Sequence, residues 1–226
     1  AVLQRTVAND SSGYALPLLI SFMLLISIGG FVVGAMLGFS FLENKDENTL
    51  VNVATSPVSI AGYASFKIMY TYVLAVISNL VMVGGLKLLA SDAYVIHYGD
   101  TAIGLLDQLS AGSIVLFSLT TSLLVPFVAL LLASFAKNKI EGFAMVKMGG
   151  LFIMLPMLVL LPGFENATQY VLGILPNFWP TKGLLNMALQ LSHPTNLSFA
   201  GYLIIGSIYP LILGYFMLRR FIRKLT

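Results

Sequence analysis

Five long apolar runs dominate the sequence, and shorter polar stretches separate them. The runs cover residues 14–41, 69–90, 112–135, 143–162 and 199–218. Each reaches or exceeds the roughly 20 residues that an α-helix needs to cross the hydrocarbon core of a bilayer. Lipid offers no partner to unpaired backbone groups, and the alternating pattern of membrane strands is absent from the sequence. The sequence therefore predicts an all-α, polytopic membrane protein, with one transmembrane domain over residues 1–226.

The composition excludes several other classes of protein. Only 9% of the 226 residues are charged, whereas an average soluble domain has about 25%. So few charges cannot cover the surface of a soluble enzyme, and a 58% hydrophobic content excludes a disordered chain. The sequence has no cysteine, which excludes disulfides and thiolate metal sites.

Basic residues are distributed unevenly between the two sides of the predicted helices. The connectors 42–68 and 136–142, with the segment after 218, carry eight of the twelve Lys and Arg residues, and Lys147, one turn into its apolar run, can reach back to make nine on this side. The nine are Lys45, Lys67, Lys137, Lys139, Lys147, Arg219, Arg220, Arg223 and Lys224, against Arg5, Lys87 and Lys182 on the other side. The positive-inside rule places the first side and the C-terminus in the cytoplasm, so the net charge of +3 reflects topology rather than nucleic-acid binding. Five spans then leave Ala1 outside, and we expect a further span upstream of it.

The sequence carries little catalytic chemistry. None of its nine acidic residues falls in the middle of an apolar run, where an ion-coupled carrier usually keeps an ionisable relay. His97 and His193 are isolated, without the spacing of metal ligands, and no G-x-x-x-x-G-K-[ST] motif is present. We therefore predict no catalytic residue, no metal and no cofactor in this chain. Active transport would draw its energy from another polypeptide.

Three features within the apolar runs indicate more than contact with lipid. Gly30, Gly34 and Gly38 repeat at four-residue spacing, which places them on one helix face and predicts close helix packing, within the subunit or between subunits. Ser118, Thr121 and Ser122 share a face, and Asn79 is the strongest side-chain hydrogen bonder in any run. These four residues are either interhelical bonds or the lining of a translocation path. Pro126 and Pro156 predict kinks.

The connector 42–68 is the most specific stretch of the chain. Glu43, Lys45, Asp46 and Glu47 form a polar head, and the apolar residues Leu50, Val53 and Ala54 follow at helical spacing. Pro57 ends the segment in a turn. Taken alone, this pattern fits a short interfacial helix that lies on the membrane or in a groove of a partner.

The connector resembles the cytoplasmic signature of the type-2 family of bacterial ABC-exporter permeases. The matching residues are Glu43, Lys45, Asp46, Asn48-Thr49-Leu50 and Thr55-Ser56-Pro57-Val58-Ser59. Residues 138–142 (Asn-Lys-Ile-Glu-Gly) match a second inward loop, and 175–180 (Leu-Pro-Asn-Phe-Trp-Pro) resembles the drug-export branch, which includes fluoroquinolone-export permeases. The family has six spans, so the resemblance implies that these are the last five.

The resemblance also implies partners and roles. It implies an ABC ATPase subunit that holds ATP and Mg²⁺, a second permease subunit in a homo- or heterodimer, and a multi-pass location in the bacterial inner membrane. The external segment 163–198 would carry short re-entrant helices, over 166–174 and 181–192, that cap the external mouth. The expected ATPase-contact residues are Glu43, Lys45, Asp46, Glu47, Thr49, Leu50, Val53, Ala54 and Pro57.

Two alternatives to drug export stay open from the residues alone. The subunit could export a lipid or glycan, or it could be a membrane anchor or sensor that transports nothing. A secondary carrier is a third reading, and it would move substrate without an ATPase.

Overall fold

The computed structural model describes residues 14–47, 60–98, 101–164, 166–191 and 193–223. Within these residues the chain forms seven α-helices and one two-stranded hairpin. The helices are α1 (Ala15–Asp46), α2 (Ile60–Leu89), α3 (Ala111–Ser122), α4 (Leu124–Phe135), α5 (Lys139–Met154), α6 (Phe178–Ala188) and α7 (Phe199–Arg223). The strands are β1 (Val95–Tyr98) and β2 (Thr101–Gly104). The prediction of an all-α polytopic membrane protein is confirmed.

Five helical stretches of the described chain are long and apolar enough to cross a membrane. They are Ala15–Asp46, Ala61–Leu89, Ala111–Phe135, Lys139–Leu160 and Phe199–Arg223. The first two extend into the predicted connector 42–68, because polar residues with ordinary helix propensity continue a helix into water after the apolar run ends. Residues 48–59 of that connector lie outside the described residues.

Both prolines that predict kinks lie at helix breaks. The third membrane stretch divides into α3 and α4 at Leu123, whose N–H donates to Thr120 O at 3.1 Å. Pro126 has no N–H to donate to Ser122 O, which explains the break three residues before it. α5 ends at Met154, and the chain continues as a 3₁₀ segment, Leu155–Leu160, with Pro156 in its first turn.

The core of the subunit forms around α1. This helix contacts α2, α4, α5 and α6, while α7 contacts α4 and α6. The largest apolar cluster joins one half of α1 to α3, α6 and the turn after β2. Its largest members include Leu19, Phe22, Met23, Leu105, Leu106, Phe117, Phe178 and Leu184, all of which are fully buried. α6 is therefore an internal helix rather than a surface one.

A small antiparallel hairpin, β1–β2, connects α2 to α3 and was not predicted. Val95 pairs with Gly104, and Ile96 of β1 is only 1% exposed. The Lys87 ammonium of α2 donates to the carbonyl oxygens of Leu106 at 3.1 Å and of Leu109, which fixes the following turn to the helix. The sequence did indicate it, since Gly-Asp between two short runs that contain β-branched and aromatic residues is typical of a hairpin.

Candidate functional site

The C-terminal end of α1 is bonded to α5. Glu43 Oε1 accepts a hydrogen bond from Lys139 Nζ at 2.8 Å, and both side chains are about half exposed (50% and 49%). Asn138 caps α5 by accepting from Glu141 N at 2.9 Å, and Glu141 in turn accepts from Lys137 N at 2.9 Å. These bonds account for the polar residues of the 138–142 motif, since they satisfy N–H groups at a helix start.

The same end of α1 is bonded to the start of α2. Asn44 Nδ2 donates to the hydroxyl of Tyr63, which also accepts from Lys67 Nζ at 3.2 Å. The Lys67 ammonium lies 5.3 Å from the ring centroid of Phe41. Sequence reasoning missed Asn44, Tyr63 and Lys67, although the four-residue spacing of Tyr63 and Lys67 places them on one helix face.

The expected ATPase-contact residues fall into two groups. Glu43, Lys45, Asp46 and Glu47 lie at the end of α1, where Lys45 is half-buried and the three acidic residues are exposed. Thr49, Leu50, Val53, Ala54 and Pro57 lie outside the described residues. The described part of the site is thus an acidic helix end, fixed on two sides and open to water.

The glycine ladder faces the third membrane stretch of the same subunit. A Cβ added at Gly30 would lie 2.8 Å from Thr121 O, and one at Gly34 would lie 2.8 Å from Val128 Cβ. At Gly38 the distance to a leucine side chain of α4 would be 2.7 Å. Real Cβ contacts are longer than these, so the backbones of α1 and α4 approach closely only because no Cβ is present.

The four residues of the expected translocation path are all buried between helices. Asn79 Nδ2 donates to Ser122 Oγ at 3.0 Å and bonds α2 to α3. Thr121 is 3% exposed, and Ser118 Oγ is buried without a hydrogen-bond partner in the described structure. A Cβ at Gly29 would lie 2.5 Å from Asn79 Oδ1, so this glycine also faces a close neighbour.

In the described part of the segment 163–198, polar side chains bond α6 and its approach to neighbouring elements. Thr181 Oγ1 lies 3.4 Å from Ser27 Oγ of α1, and Asn177 Nδ2 donates to Ile153 O at 3.0 Å. Trp179 Nε1 donates to Gly173 O at 2.9 Å. Asn177 and Trp179 of the 175–180 motif thus hold the chain that enters α6. Lys182, assigned to the external side for topology, is only 5% exposed within this helix.

An apolar cleft of about 210 Å³ opens between α1, α4 and α5. Three phenylalanine rings line it, from Phe31, Phe127 and Phe152, and Asn177 is the polar residue among its lining. An apolar cavity of about 150 Å³ is known to hold a benzene molecule, so the cleft has room for one aromatic ring.

Five apolar helices of spanning length, packed through close helix contacts, define a multi-pass helical membrane protein. The chain belongs to the family described as fluoroquinolones export permease protein Rv2686c-like, which it matches over residues 1–218. The resemblance to the drug-export branch of the type-2 permeases is thereby confirmed.

Two curated relatives come from Mycobacterium tuberculosis. They are the fluoroquinolones export permease protein MT2760 of strain CDC 1551 / Oshkosh and the fluoroquinolones export permease protein Rv2686c of strain ATCC 25618 / H37Rv. Each is 27% identical over 227 residues, which cover 99% of this chain and 78% of the relative. No solved structure gives a significant match.

Proposed function

We propose that this chain is the membrane subunit of an ATP-driven exporter of drug-like amphiphiles such as fluoroquinolones. The observation that carries the proposal is the family match over residues 1–218. The sequence has no phosphate-binding loop motif, so a separate ABC ATPase subunit would bind ATP and Mg²⁺. The protein would lie in the bacterial inner membrane with its C-terminus in the cytoplasm.

The cytoplasmic end of α1 supports a coupling role for residues 43–57. Bonds from Glu43 to α5 and from Asn44 to α2 make this end move together with two neighbouring helices. A partner that binds the exposed acidic residues would therefore displace three helices at once. Thr49, Leu50, Val53, Ala54 and Pro57 complete the proposed contact.

The substrate would first bind in the apolar cleft and then pass along the polar residues between the helices. The cleft lined by Phe31, Phe127 and Phe152 fits an aromatic ring. Asn79, Ser118, Thr121 and Ser122 are packed between helices, so a path along them opens only if α1 and α2 move away from α3. ATP-driven motion of the cytoplasmic end of α1 is the proposed source of that movement.

A second permease subunit would complete the exporter. The outward faces of α2, α5 and α7 carry large exposed apolar side chains, which suit contact with lipid or with another permease. We propose a dimer of permeases, of identical or different chains, with two ATPase subunits.

Transport by inverted membrane vesicles tests the proposal. Vesicles that contain the permease and its co-purifying ATPase should accumulate a fluoroquinolone only when ATP is present. Accumulation driven by a proton gradient without the ATPase would identify a secondary carrier. Binding of the ATPase without accumulation would identify an anchor, and ATP-dependent movement of a lipid instead would identify a lipid exporter.

The coupling role of residues 43–57 has its own test. Leu50→Asp should abolish substrate-stimulated ATP hydrolysis in the complex, because a charge would replace an apolar contact in the partner's groove. Expression and membrane insertion should persist. Stimulated hydrolysis at the wild-type level would contradict the assignment.

A further inference from the structure

Three arginines form one face at the basic end of α7. Arg219, Arg220 and Arg223 line a cleft of about 520 Å³ together with Phe216 and Met217. Phe216 and the three arginines are spaced by three, four and seven residues, which brings them to one side of the helix. All three arginine side chains are exposed.

These arginines lack acidic partners in the part of the chain that the structure describes. The ion pair seen at this end of the molecule joins Lys139 to Glu43 instead. The Arg220 guanidinium lies 4.2 Å from the ring centroid of Phe135, and that of Arg219 lies 5.7 Å from the ring centroid of Tyr215. Like charges at three- and four-residue spacing repel one another, so a bound anion would stabilise this face.

The opposite side of the same helix end is fixed within the subunit. Phe221 is buried against Phe41, with ring centroids 5.3 Å apart, and Ser134 Oγ donates to Met217 O at 3.2 Å. Packing on that side holds the arginine face outward. The side of α7 that carries the arginines is therefore already oriented before a ligand binds, which lowers the cost of ordering the site.

The position of the cleft along α7 indicates the chemical class of its ligand. Arg219 follows Phe199 by 20 residues in α7, and this length of helix spans about 30 Å, the thickness of a hydrocarbon core. With Phe199 at one boundary of the core, the arginines would lie at the level of the lipid phosphates at the other boundary. The exposed aromatic residues Tyr215 and Phe216 would lie one turn nearer the lipid tails.

We propose that this arginine cleft binds the headgroup of an anionic phospholipid. The planar guanidinium groups of Arg219 and Arg223 would donate paired hydrogen bonds to the phosphate oxygens. Phe216 and Met217 would contact the glycerol and the first part of the acyl chains. The site does not depend on which substrate the permease exports.

Lipid binding to the purified protein, followed by native mass spectrometry, tests the site. The wild-type protein in neutral detergent should bind phosphatidylglycerol about tenfold more tightly than phosphatidylcholine. The double variant Arg219→Gln/Arg223→Gln should lose most of this tenfold preference, since each basic residue near an anionic surface contributes about a factor of five. Arg220 is kept because it holds α7 against Phe135.

The matched control removes two charges elsewhere on the same side. Lys137→Gln/Lys147→Gln should leave the preference within about threefold of the wild type, because neither residue lines the cleft. Equal losses in both double variants would overturn the site in favour of diffuse attraction. Displacement of the lipid by inorganic phosphate alone would identify a soluble anion as ligand, and loss of ATPase binding with unchanged lipid binding would identify a protein surface; either result would overturn the proposal.

Discussion

At the scale of single residues, buried polar side chains connect the helices. Asn79 and Ser122 join α2 to α3, Ser27 and Thr181 join α1 to α6, and Thr120 lies 3.4 Å from Ser207 of α7. Each bond is modest, because the separated helices in a membrane also find partners for their polar groups. Together they specify which helices are neighbours.

A double-mutant cycle on Asn79→Ala and Ser122→Ala should show a coupling energy of about 0.6–1 kcal/mol in favour of the pair. The measurement is thermal or denaturant unfolding of the purified protein in detergent. The control cycle pairs Asn79→Ala with Ser118→Ala, whose hydroxyl has no partner in the described structure, and should give a coupling near zero. Zero coupling for Asn79 and Ser122 would favour a role in the substrate path over one in helix packing.

At the scale of helices, the glycine ladder sets the distance between α1 and α4. Leu132 and Val128 of α4 occupy the space where side chains of α1 would otherwise lie. Such contacts replace the hydrophobic effect, which does not favour helix association inside lipid. α1 and α4 therefore behave as one packed unit.

Gly34→Leu should destabilise the protein by about 1–3 kcal/mol, since the new side chain would overlap Val128 and force the helices apart. Gly84→Leu is the matched control, because a Cβ at Gly84 meets no atom within 4 Å. Gly29, which the sequence places off the ladder, is unsuitable as a control because it faces Asn79. The midpoint of thermal unfolding reports the difference, and equal midpoints for the two variants would refute the packing role.

The apolar cleft allows a second comparison at the helix scale. Gly149 lies on the cleft and Gly150 has no neighbour within 4 Å, although the two residues are adjacent in α5. Gly149→Phe should fill the space for an aromatic ring and raise the KM for fluoroquinolone transport several-fold, whereas Gly150→Phe should leave it within about twofold. An unchanged KM in both variants would remove the cleft from the substrate pathway.

At the scale of the whole molecule, the pair Glu43–Lys139 connects residues 96 positions apart in the sequence. Because both side chains are half exposed to water, the pair contributes little to stability. Its proposed role is to transmit motion from α1 to α5, since it joins the ends of these helices on the side where the ATPase is proposed to bind.

Charge reversal separates these two roles. Glu43→Lys should lower ATP-dependent transport in vesicles several-fold, because two like charges would push α1 and α5 apart, while the unfolding midpoint falls only slightly. The double variant Glu43→Lys/Lys139→Glu should restore much of the transport by reforming the pair. Failure of the double variant to recover would show that Glu43 acts through the partner subunit rather than through Lys139.

The membrane-spanning helices were the part of the fold that the sequence predicted. Long apolar runs must be helices in lipid, so the five spans could be read directly from hydrophobicity. Outside the lipid this constraint is absent, which is why the hairpin and the continuation of α1 to Asp46 were missed. Burial of Lys182 within α6 could not be predicted either, since a lone lysine in a connector between two spans usually faces water.

The candidate site was predictable only in its local parts. The spacing of Gly30, Gly34 and Gly38 identified a packing face, but nothing in it named α4 as the neighbour. Likewise the charge of Glu43 was evident, whereas its partner Lys139 depends on how distant helices assemble. Which helices pack together cannot be read from the spacing of residues in a single sequence.

The length of α1 has a geometric consequence. Its 32 residues extend about 48 Å, well beyond a hydrocarbon core of about 30 Å. The number of residues in the helix would therefore set the distance between the bilayer and a protein that binds the exposed end. Insertion of about four residues before Glu43 would lengthen the helix by about 6 Å and rotate its acidic end by about 40°.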